Sequence, residues 1–139
     1  MSELANALET LSVRAAAAAP SAIVASQALI EGEARAALSR YSHPPGTPTP
    51  SPPGEPPAKI TGRLWDSFEL AGPTATGFGV WTSVMGPTAP YARIQELGGR
   101  ANHSELPARP YFRPAVETLL RSGRIAEVFQ RAWQTALSP

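Results

Sequence analysis

Few side chains in this sequence are of the types that carry catalysis, and they form no catalytic motif. From residue 59 onward the candidate general acids are six carboxylates: Asp66, Glu69, Glu96, Glu105, Glu117 and Glu127. The imidazoles belong to His43 and His103, and Ser104 follows His103 directly. Adjacency in sequence does not create the geometry of a nucleophile, a base and an orienting acid. We therefore predict no catalytic residues, and we interpret His103 as a solvated loop histidine.

Metal and cofactor chemistry is equally poorly supported by the residue types. The sequence has no cysteine, which excludes disulfides and thiolate metal sites. The two histidines lie far apart in sequence and cannot form a helical metal-binding pair. The "GFG" at 77–79 is not followed by a helical pattern, so it does not resemble a phosphate-binding loop. We predict neither a metal nor a cofactor.

Length and charge suggest one domain, spanning 1–139. With 139 residues, 42% of them hydrophobic, the chain can bury one modest core. Its net charge of +1 gives no strong bias towards nucleic acid or an anionic membrane. The apolar stretch at 15–30 has 16 residues, is mostly alanine and contains Pro20, so we expect it to be too short and too weakly apolar to span a bilayer. We predict a soluble protein with no membrane partner and no targeting segment.

The first of three zones, residues 1–42, has a helical pattern. Leu4, Leu8 and Leu11 recur at steps of four and three and share one helix face. Proline inside a helix removes a backbone donor and clashes with the preceding turn. We therefore expect a first helix that ends near Ala18 and a second helix with Pro20 in its first turn. The second helix carries an apolar stripe that needs a partner surface.

The second zone, residues 43–60, contains eight of the 16 prolines and should be an extended arm or loop. Three interpretations stay open at this point. The zone is a passive linker, an arm that gains order against a neighbouring subunit, or a ligand for a proline-binding domain.

The third zone, residues 61–139, contains all the tryptophans and phenylalanines, and we expect a sheet and a closing helix. The pattern predicts a β-hairpin at about 62–86, with "GPTATG" (72–77) as its turn-rich link. "YARIQELGG" (91–99) is either a short helix ended by Gly98 or a strand with a bulge, and "ANHSELP" (101–107) is a loop. A long C-terminal helix begins at Pro114, with a kink at Gly123. The fold class is α+β, a small antiparallel β-sheet packed against helices.

The basic residues of the third zone leave several interpretations open. From Lys59 onward the sequence has nine basic and six acidic side chains. They form an ordinary solvated surface, ion pairs at a subunit interface, where arginine is favoured, or a weakly cationic wall that faces nucleic acid.

Four pieces in order resemble a known family. They are "PPGEPPAKITGRLWDSF" (52–68), "YARIQELGG" (91–99), "ARPYFRPAVETLL" (108–120) and the apolar helix up to Leu137. They are similar to the patterns "TG.L..S", "YA...E.G" and "ARPF..PA" of the small head–tail joining, or tail-completion, proteins of long-tailed double-stranded DNA bacteriophages. The resemblance covers roughly residues 22–137. The chain departs from the family in its longer proline insert.

The resemblance implies a virion structural protein of the phage neck, not an enzyme, that is assembled in the host cytoplasm and located at the head–tail junction. It implies a homo-oligomeric ring, a hexamer or dodecamer, around a channel through which DNA passes without sequence-specific binding. Its other partners would be head-connector or stopper proteins and tail-tube or terminator proteins. We expect five residues to shape the turn before the last helix and to make subunit contacts: Tyr91, Glu96, Arg109, Tyr111 and Phe112.

Among these five residues we expect Arg109 to pair with a carboxylate, with Glu96 as the candidate. An intrachain packing role for all five stays open as the alternative. Three other functions for the whole chain also stay open: a nucleic-acid-binding accessory protein, a small enzyme and an unrelated interaction module.

Overall fold

A computed structural model describes residues 2–46 and 50–139, and it has the predicted α+β architecture. The elements, in chain order, are α1 (Ser2–Leu38), α2 (Arg63–Asp66), β1 (Phe68–Gly77), β2 (Val80–Pro87), α3 (Ala92–Leu97), β3 (Gly99–Ala101), β4 (Ser104–Leu106), α4 (Phe112–Arg121) and α5 (Arg124–Leu137). Strands β1 and β2 form one antiparallel hairpin, and β3 and β4 form another.

The N-terminal zone is one continuous helix, so the prediction of two helices separated before Pro20 is wrong. Pro20 has no N–H, which leaves the carbonyl four residues earlier, that of Ala16, without its helical donor. The indole Nε1 of Trp81, on β2, donates to this Ala16 carbonyl at 3.1 Å. The Trp81 indole thus replaces the hydrogen bond that Pro20 removes from the helix.

A double-mutant cycle tests this replacement of a helical hydrogen bond. Trp81→Phe should cost about 1 kcal/mol for the lost bond, in addition to lost packing. In a Pro20→Ala background the residue-20 N–H can bind the Ala16 carbonyl, and Trp81→Phe should then cost about 1 kcal/mol less. Denaturant unfolding of the four proteins gives the coupling. Equal costs of Trp81→Phe in both backgrounds would contradict the assignment.

The segment "TGRLWDSFEL" forms a helical turn before it becomes a strand. The predicted start of the hairpin at about residue 62 is wrong, because α2 occupies Arg63–Asp66 and β1 begins at Phe68. Gly62 adopts φ 80°, and its carbonyl accepts the Asp66 N–H at 2.8 Å. Leu64 and Phe68 lie on one side of this turn, and both are buried. Positions four apart share a face in a helix as they do in a strand, so the pattern did not distinguish the two.

The first hairpin has its turn later than expected. The stretch 72–77, predicted as the link, belongs to β1, and the turn lies at Phe78–Gly79. A register shift between Ala71 and Thr74 accommodates Gly72 and Pro73 within the strand. The hairpin rests against α1 through Trp81 and through a hydrogen bond from Gln27 to Ser83. Helix α1 packs against both strands of this hairpin, whereas α5 packs along α1.

The segment predicted as the loop "ANHSELP" contains most of a second, short hairpin. Its turn residues Asn102 and His103 both have positive φ, 49° and 65°. Two successive residues in this region make the tight turn that matches the twist of paired strands. Asparagine and histidine tolerate it better than most residues, so the turn forms without glycine.

The predicted long C-terminal helix is two helices, and it starts at Phe112, two residues before Pro114. Gly123, at φ 78°, separates them, so the expected kink is a full break. Helix α5 runs antiparallel to α1. Arg124 Nη1 lies 3.3 Å from Glu33 Oε1, and Trp133 Nε1 donates to the carbonyl of Ala15 at 3.1 Å.

The hydrophobic core is small and lies where the C-terminal end of α1 meets α2, β1, α3 and α4. Its buried members are Ala34, Leu38, Leu64, Phe68, Ala89, Ala92, Tyr111 and Ala115. Helix α5 contributes no fully buried residue. The N-terminal helix and the C-terminal zone therefore share one core.

The proline zone is extended, and much of it packs on its own chain. Ser51, Pro56 and Pro57 are buried, and the Gly54 N–H donates to the carbonyl of Ala108 at 2.9 Å. From residue 51 onward the segment is therefore not a passive linker. Residues 47–49 of the predicted arm lie outside the described residues.

Helix α1 is long and apolar enough, by length and composition alone, to cross a bilayer. Its most apolar 18-residue window has a mean hydropathy of 1.4, and 17% of that window is buried. Our expectation that residues 15–30 are too short to span a bilayer considered that stretch alone, whereas the helix that contains it runs from Ser2 to Leu38. Core helices of soluble proteins, which are mostly buried, and N-terminal signal sequences satisfy the same criterion.

Candidate interaction site

The carboxylate of Glu96, on α3, caps the N-terminus of α4. Its Oε2 accepts the N–H groups of Tyr111 at 2.8 Å and Phe112 at 3.0 Å, and its Oε1 accepts the N–H of Arg113 at 2.8 Å. The next residue, Pro114, has no N–H. A single carboxylate therefore satisfies the free donors at this helix end, where negative charge is also favoured by the helix dipole.

Tyr111 is the most deeply buried aromatic residue, with 1% of its surface exposed. Its hydroxyl lies 3.4 Å from the carbonyl of Ala92, the donor–acceptor distance of a long hydrogen bond. Burial, with a smaller contribution from the Glu96 carboxylate, raises the pKa of the Tyr111 phenol well above its ordinary value. The neutral phenol is therefore the form that the fold stabilises.

Gly98 allows α3 to end in close contact with the segment that leads to α4. It adopts φ 70° and ψ −175°, a region open essentially to glycine alone. A Cβ at this position would lie 2.7 Å from the Ala108 nitrogen and 2.9 Å from the Leu106 carbonyl oxygen. The Arg109 N–H donates to the Gln95 carbonyl at 2.7 Å and fixes the same contact.

Arg109 joins this junction to the proline segment. Its Nε donates to the Ser51 carbonyl at 3.0 Å, and only 9% of the residue is exposed. The expected pairing with Glu96 is wrong, since Arg109 binds a backbone carbonyl and the Glu96 carboxylate binds backbone amides. Arg109 therefore holds residues 51–54 against the start of α4.

The structure brings the five predicted site residues together at one place, the α3–α4 junction. Tyr111 and Arg109 are buried within their own chain, Glu96 is half-buried, and Phe112 stacks on Phe68 with ring centroids 6.1 Å apart. Tyr91 is 37% exposed. Glu96, Arg109, Tyr111 and Phe112 make the contacts that shape the turn before α4. The role of Tyr91 and the subunit contacts of all five residues stay a prediction.

A groove lies next to the junction and was not predicted from the sequence. We call it the Trp65 groove; its volume is about 290 Å³, and its lining includes Leu38, Lys59, Ile60, Arg63, Trp65 and Tyr91. Lys59 Nζ lies 4.6 Å from the centroid of the Trp65 ring, and Arg35 Cζ lies 4.3 Å from it. Lys59, Arg63 and Trp65 stand close in sequence, and this cluster of cations around one tryptophan is the signal that could have indicated the groove.

The role of Glu96 also escaped the sequence reasoning, although a signal for it exists. Helices usually begin with Ser, Thr, Asp or Asn as the capping residue. Helix α4 begins after Tyr111, whose side chain makes no capping hydrogen bond. A helix start without its own cap indicates an acceptor from elsewhere in the chain.

The two histidines do not meet. His103 is exposed in the β3–β4 turn. His43 lies in the proline segment, where its backbone N–H donates to the Lys59 carbonyl at 3.1 Å. Among residues 2–46 and 50–139 no group of three His, Asp or Glu side chains is arranged to hold a metal ion. The titratable groups of the junction serve to cap and to pack.

Removing the Glu96 carboxylate should destabilise the protein. Glu96→Ala leaves three backbone donors without their charged acceptor and should cost about 2–3 kcal/mol. Glu96→Gln keeps one acceptor oxygen and should lose about half as much. Urea unfolding checks both variants. Glu69→Ala, at an exposed position of β1, is the control, and a loss at Glu96 no larger than that of the control would contradict the capping role.

Alkaline pH should destabilise the protein through Tyr111. Above about pH 10 the unfolded phenol loses its proton, whereas the buried phenol keeps it because its pKa is raised. The unfolded state then binds fewer protons, so the free energy of unfolding falls by up to about 1.4 kcal/mol per pH unit. Tyr111→Phe should flatten this fall between pH 10 and 11.5, and Tyr91→Phe should not. Identical pH profiles for the two variants would refute the assignment.

Comparison of the chain with protein-family models, with characterised proteins and with solved structures found no significant match.

Proposed function

We propose that this chain is a structural protein of a phage neck, of the tail-completion type, that assembles as a ring around the DNA channel. One observation carries the proposal. The three ordered motifs that resemble the head–tail joining family, separated by up to 47 positions in sequence, fold into one structural unit. This convergence supports the resemblance to that family.

Each motif supplies a distinct part of that unit. The "TG.L" motif supplies the left-handed turn at Gly62 and the buried Leu64. The "YA...E.G" motif supplies buried Ala92, the capping carboxylate of Glu96 and the chain reversal at Gly98. The "ARPF..PA" motif, with tyrosine in place of phenylalanine here, supplies the hydrogen bond from Arg109 to the Ser51 carbonyl and the buried side chains of Tyr111 and Ala115.

The surface and the core are both consistent with an assembling subunit. The core is small for the length of the chain, and large apolar residues are exposed at the β1–β2 turn and along the first turns of α1. Exposed apolar surface of this kind is typical of contacts with other proteins. The net charge of +1 favours a subunit that lets DNA pass over one that binds it tightly.

In this proposal the ring, a hexamer or dodecamer, connects a head-connector or stopper protein to a tail-tube or terminator protein. The test is electron microscopy and mass measurement of the purified chain and of particles that contain it. We expect a closed ring and density for the chain at the head–tail junction. Deleting its gene from the phage should give filled heads and separate tails, and the intact gene should restore joined particles.

Two outcomes would overturn the proposal. One is a chain that stays monomeric in every setting and is absent from the junction. The other is salt-sensitive DNA binding by the isolated chain at micromolar affinity, which would favour the nucleic-acid-binding alternative.

A further inference from the structure

The first three turns of α1 project beyond the rest of the molecule. We call residues 2–13 the N-terminal arm. Its partner helix α5 ends beside Arg14, whose Nη2 donates to the Ser138 carbonyl at 2.7 Å. The arm continues past this point, and Leu4, Leu8 and Leu11, which share one helix face, are 62%, 58% and 41% exposed.

The arm is acidic as well as apolar. It carries Glu3 and Glu9 and no basic residue. Neither carboxylate forms an ion pair within the part of the chain that the structure describes. A partner surface for the arm should therefore be both apolar and cationic.

The Trp65 groove has those two properties. Its apolar lining includes Leu38, Ile60 and Trp65, and Ile60 is 46% exposed. Its charged lining residues are Lys59 and Arg63, and neither forms an ion pair within the described residues. A helix that lays leucines into the groove and acids along its rim would satisfy both surfaces.

The arm cannot reach the groove of its own chain. The groove includes Leu38, the last residue of α1. Leu4 and Leu38 lie about 50 Å apart along a helix that rises about 1.5 Å per residue. The two surfaces are thus at opposite ends of one continuous helix, and a contact between them has to join two copies of the chain.

We propose that the N-terminal arm of one copy docks in the Trp65 groove of the next. The contact pairs different surfaces of the two copies, and repetition of such a head-to-tail contact closes into a ring or continues as a filament. That the contact closes into a ring rests on the proposed function. The arm–groove contact would be the subunit contact that such a ring requires. Pairing of two arms with each other is disfavoured, because each carries two acids and no base.

Because the chain has no cysteine, single introduced cysteines report the contact cleanly. Leu8→Cys chains mixed with Ile60→Cys chains should form a cross-linked dimer with a short bis-maleimide, and mass spectrometry should identify the bond between positions 8 and 60, which we call the arm–groove cross-link. Either variant alone should cross-link at least tenfold less. Leu8→Cys mixed with Thr135→Cys, an exposed position on α5 remote from the groove, is the matched control.

Two cross-linking outcomes would overturn the proposal. One is a mixed yield no higher than that of the Thr135→Cys control at the highest soluble concentration. The other is efficient cross-linking of Leu8→Cys with itself, which would show that arms pair with arms.

Charge reversal tests the electrostatic part independently. Glu3→Lys with Glu9→Lys should lower the yield of the arm–groove cross-link about tenfold, and so should Lys59→Glu with Arg63→Glu in the partner. Combining the reversed arm with the reversed groove should restore most of the yield. A combination that stays as low as the single reversals would contradict docking in this groove.

The two proposals fail in distinguishable ways. A ring at the head–tail junction that gives no arm–groove cross-link would remove the arm contact and leave the neck function. Cross-linked rings from the purified chain, together with phage particles whose junctions lack the protein, would remove the neck function and leave the contact.

Discussion

Gly98→Ala should be among the most destabilising single substitutions in this protein, with a loss of about 3–5 kcal/mol in the free energy of unfolding. The backbone at φ 70° and ψ −175° costs about 1–3 kcal/mol for a residue with a Cβ. The new methyl group would also lie 2.7 Å from the Ala108 nitrogen and 2.9 Å from the Leu106 carbonyl oxygen. Both are backbone atoms, which cannot rotate away as a flexible side chain can. Since a domain is stabilised by only about 5–15 kcal/mol, the variant should be partly unfolded at 37 °C. Circular dichroism on heating and denaturant unfolding check this.

Two other glycines separate the causes of that loss. Gly123 has a positive φ of 78°, but a methyl group added to its Cα would have no atom within 4 Å, so Gly123→Ala should cost only about 1–2 kcal/mol. Gly86 has neither constraint, and Gly86→Ala should change stability by about 0.5 kcal/mol or less. If Gly98→Ala were no worse than Gly123→Ala, the close approach of α3 to residues 106–108 would be wrong.

Tyr111→Ala should have an effect of similar size, a loss of about 3–5 kcal/mol. The ring is almost fully buried and lies in the core cluster that joins α1, α2, α3 and α4. Its removal would leave a cavity lined by side chains from all these elements, which cannot collapse without moving several helices. Denaturant unfolding should show a lower midpoint with little change in slope.

Tyr111→Phe and Tyr91→Ala are the matched controls for the core substitution. Tyr111→Phe keeps the ring and removes only a 3.4 Å hydrogen bond to Ala92, so its cost near neutral pH should be below about 1 kcal/mol. Tyr91→Ala removes the same atoms from a 37% exposed position and should also cost less than about 1 kcal/mol. A Tyr91→Ala loss as large as that of Tyr111→Ala would mean that Tyr91 anchors the fold.

Elements with a local signal could be predicted from the sequence. Alternation and β-branched residues predicted a hairpin at about 62–86, and the structure has one at 68–87. A helix ended by Gly98 was one of two predicted alternatives for residues 91–99, and it is the one the structure has. The α+β class followed from the order of these patterns. Element boundaries were harder, because Leu64 and Phe68 share a face in a helix and in a strand alike. The second hairpin was missed because its turn uses Asn102 and His103 where glycine is usual.

The predicted site residues were also only partly predictable from local sequence. Their grouping at one junction followed from the motifs, but their individual roles did not. Charge alone suggested that Arg109 would pair with Glu96, whereas each binds backbone groups. The Trp65 groove forms only when Leu38 of the first zone, residues 57–60 of the second and residues 61–65 of the third come together, which no local pattern reveals.

The sequence by itself determined the inventory: an alanine-rich helix, an extended proline segment, a hairpin, glycines where the chain must turn left-handed, and three motifs in order. These properties depend on a residue and its close neighbours. Only the tertiary structure decided that α1 continues through Pro20, that Glu96 caps α4, and that the leucines of the arm and the cations of the groove lie at opposite ends of one helix. Each of these depends on a hydrogen bond or a distance between residues remote in sequence. When a helix leaves a backbone carbonyl or N–H group unpaired, as at Ala16 and at the start of α4, the local sequence does not specify which distant residue will pair with it.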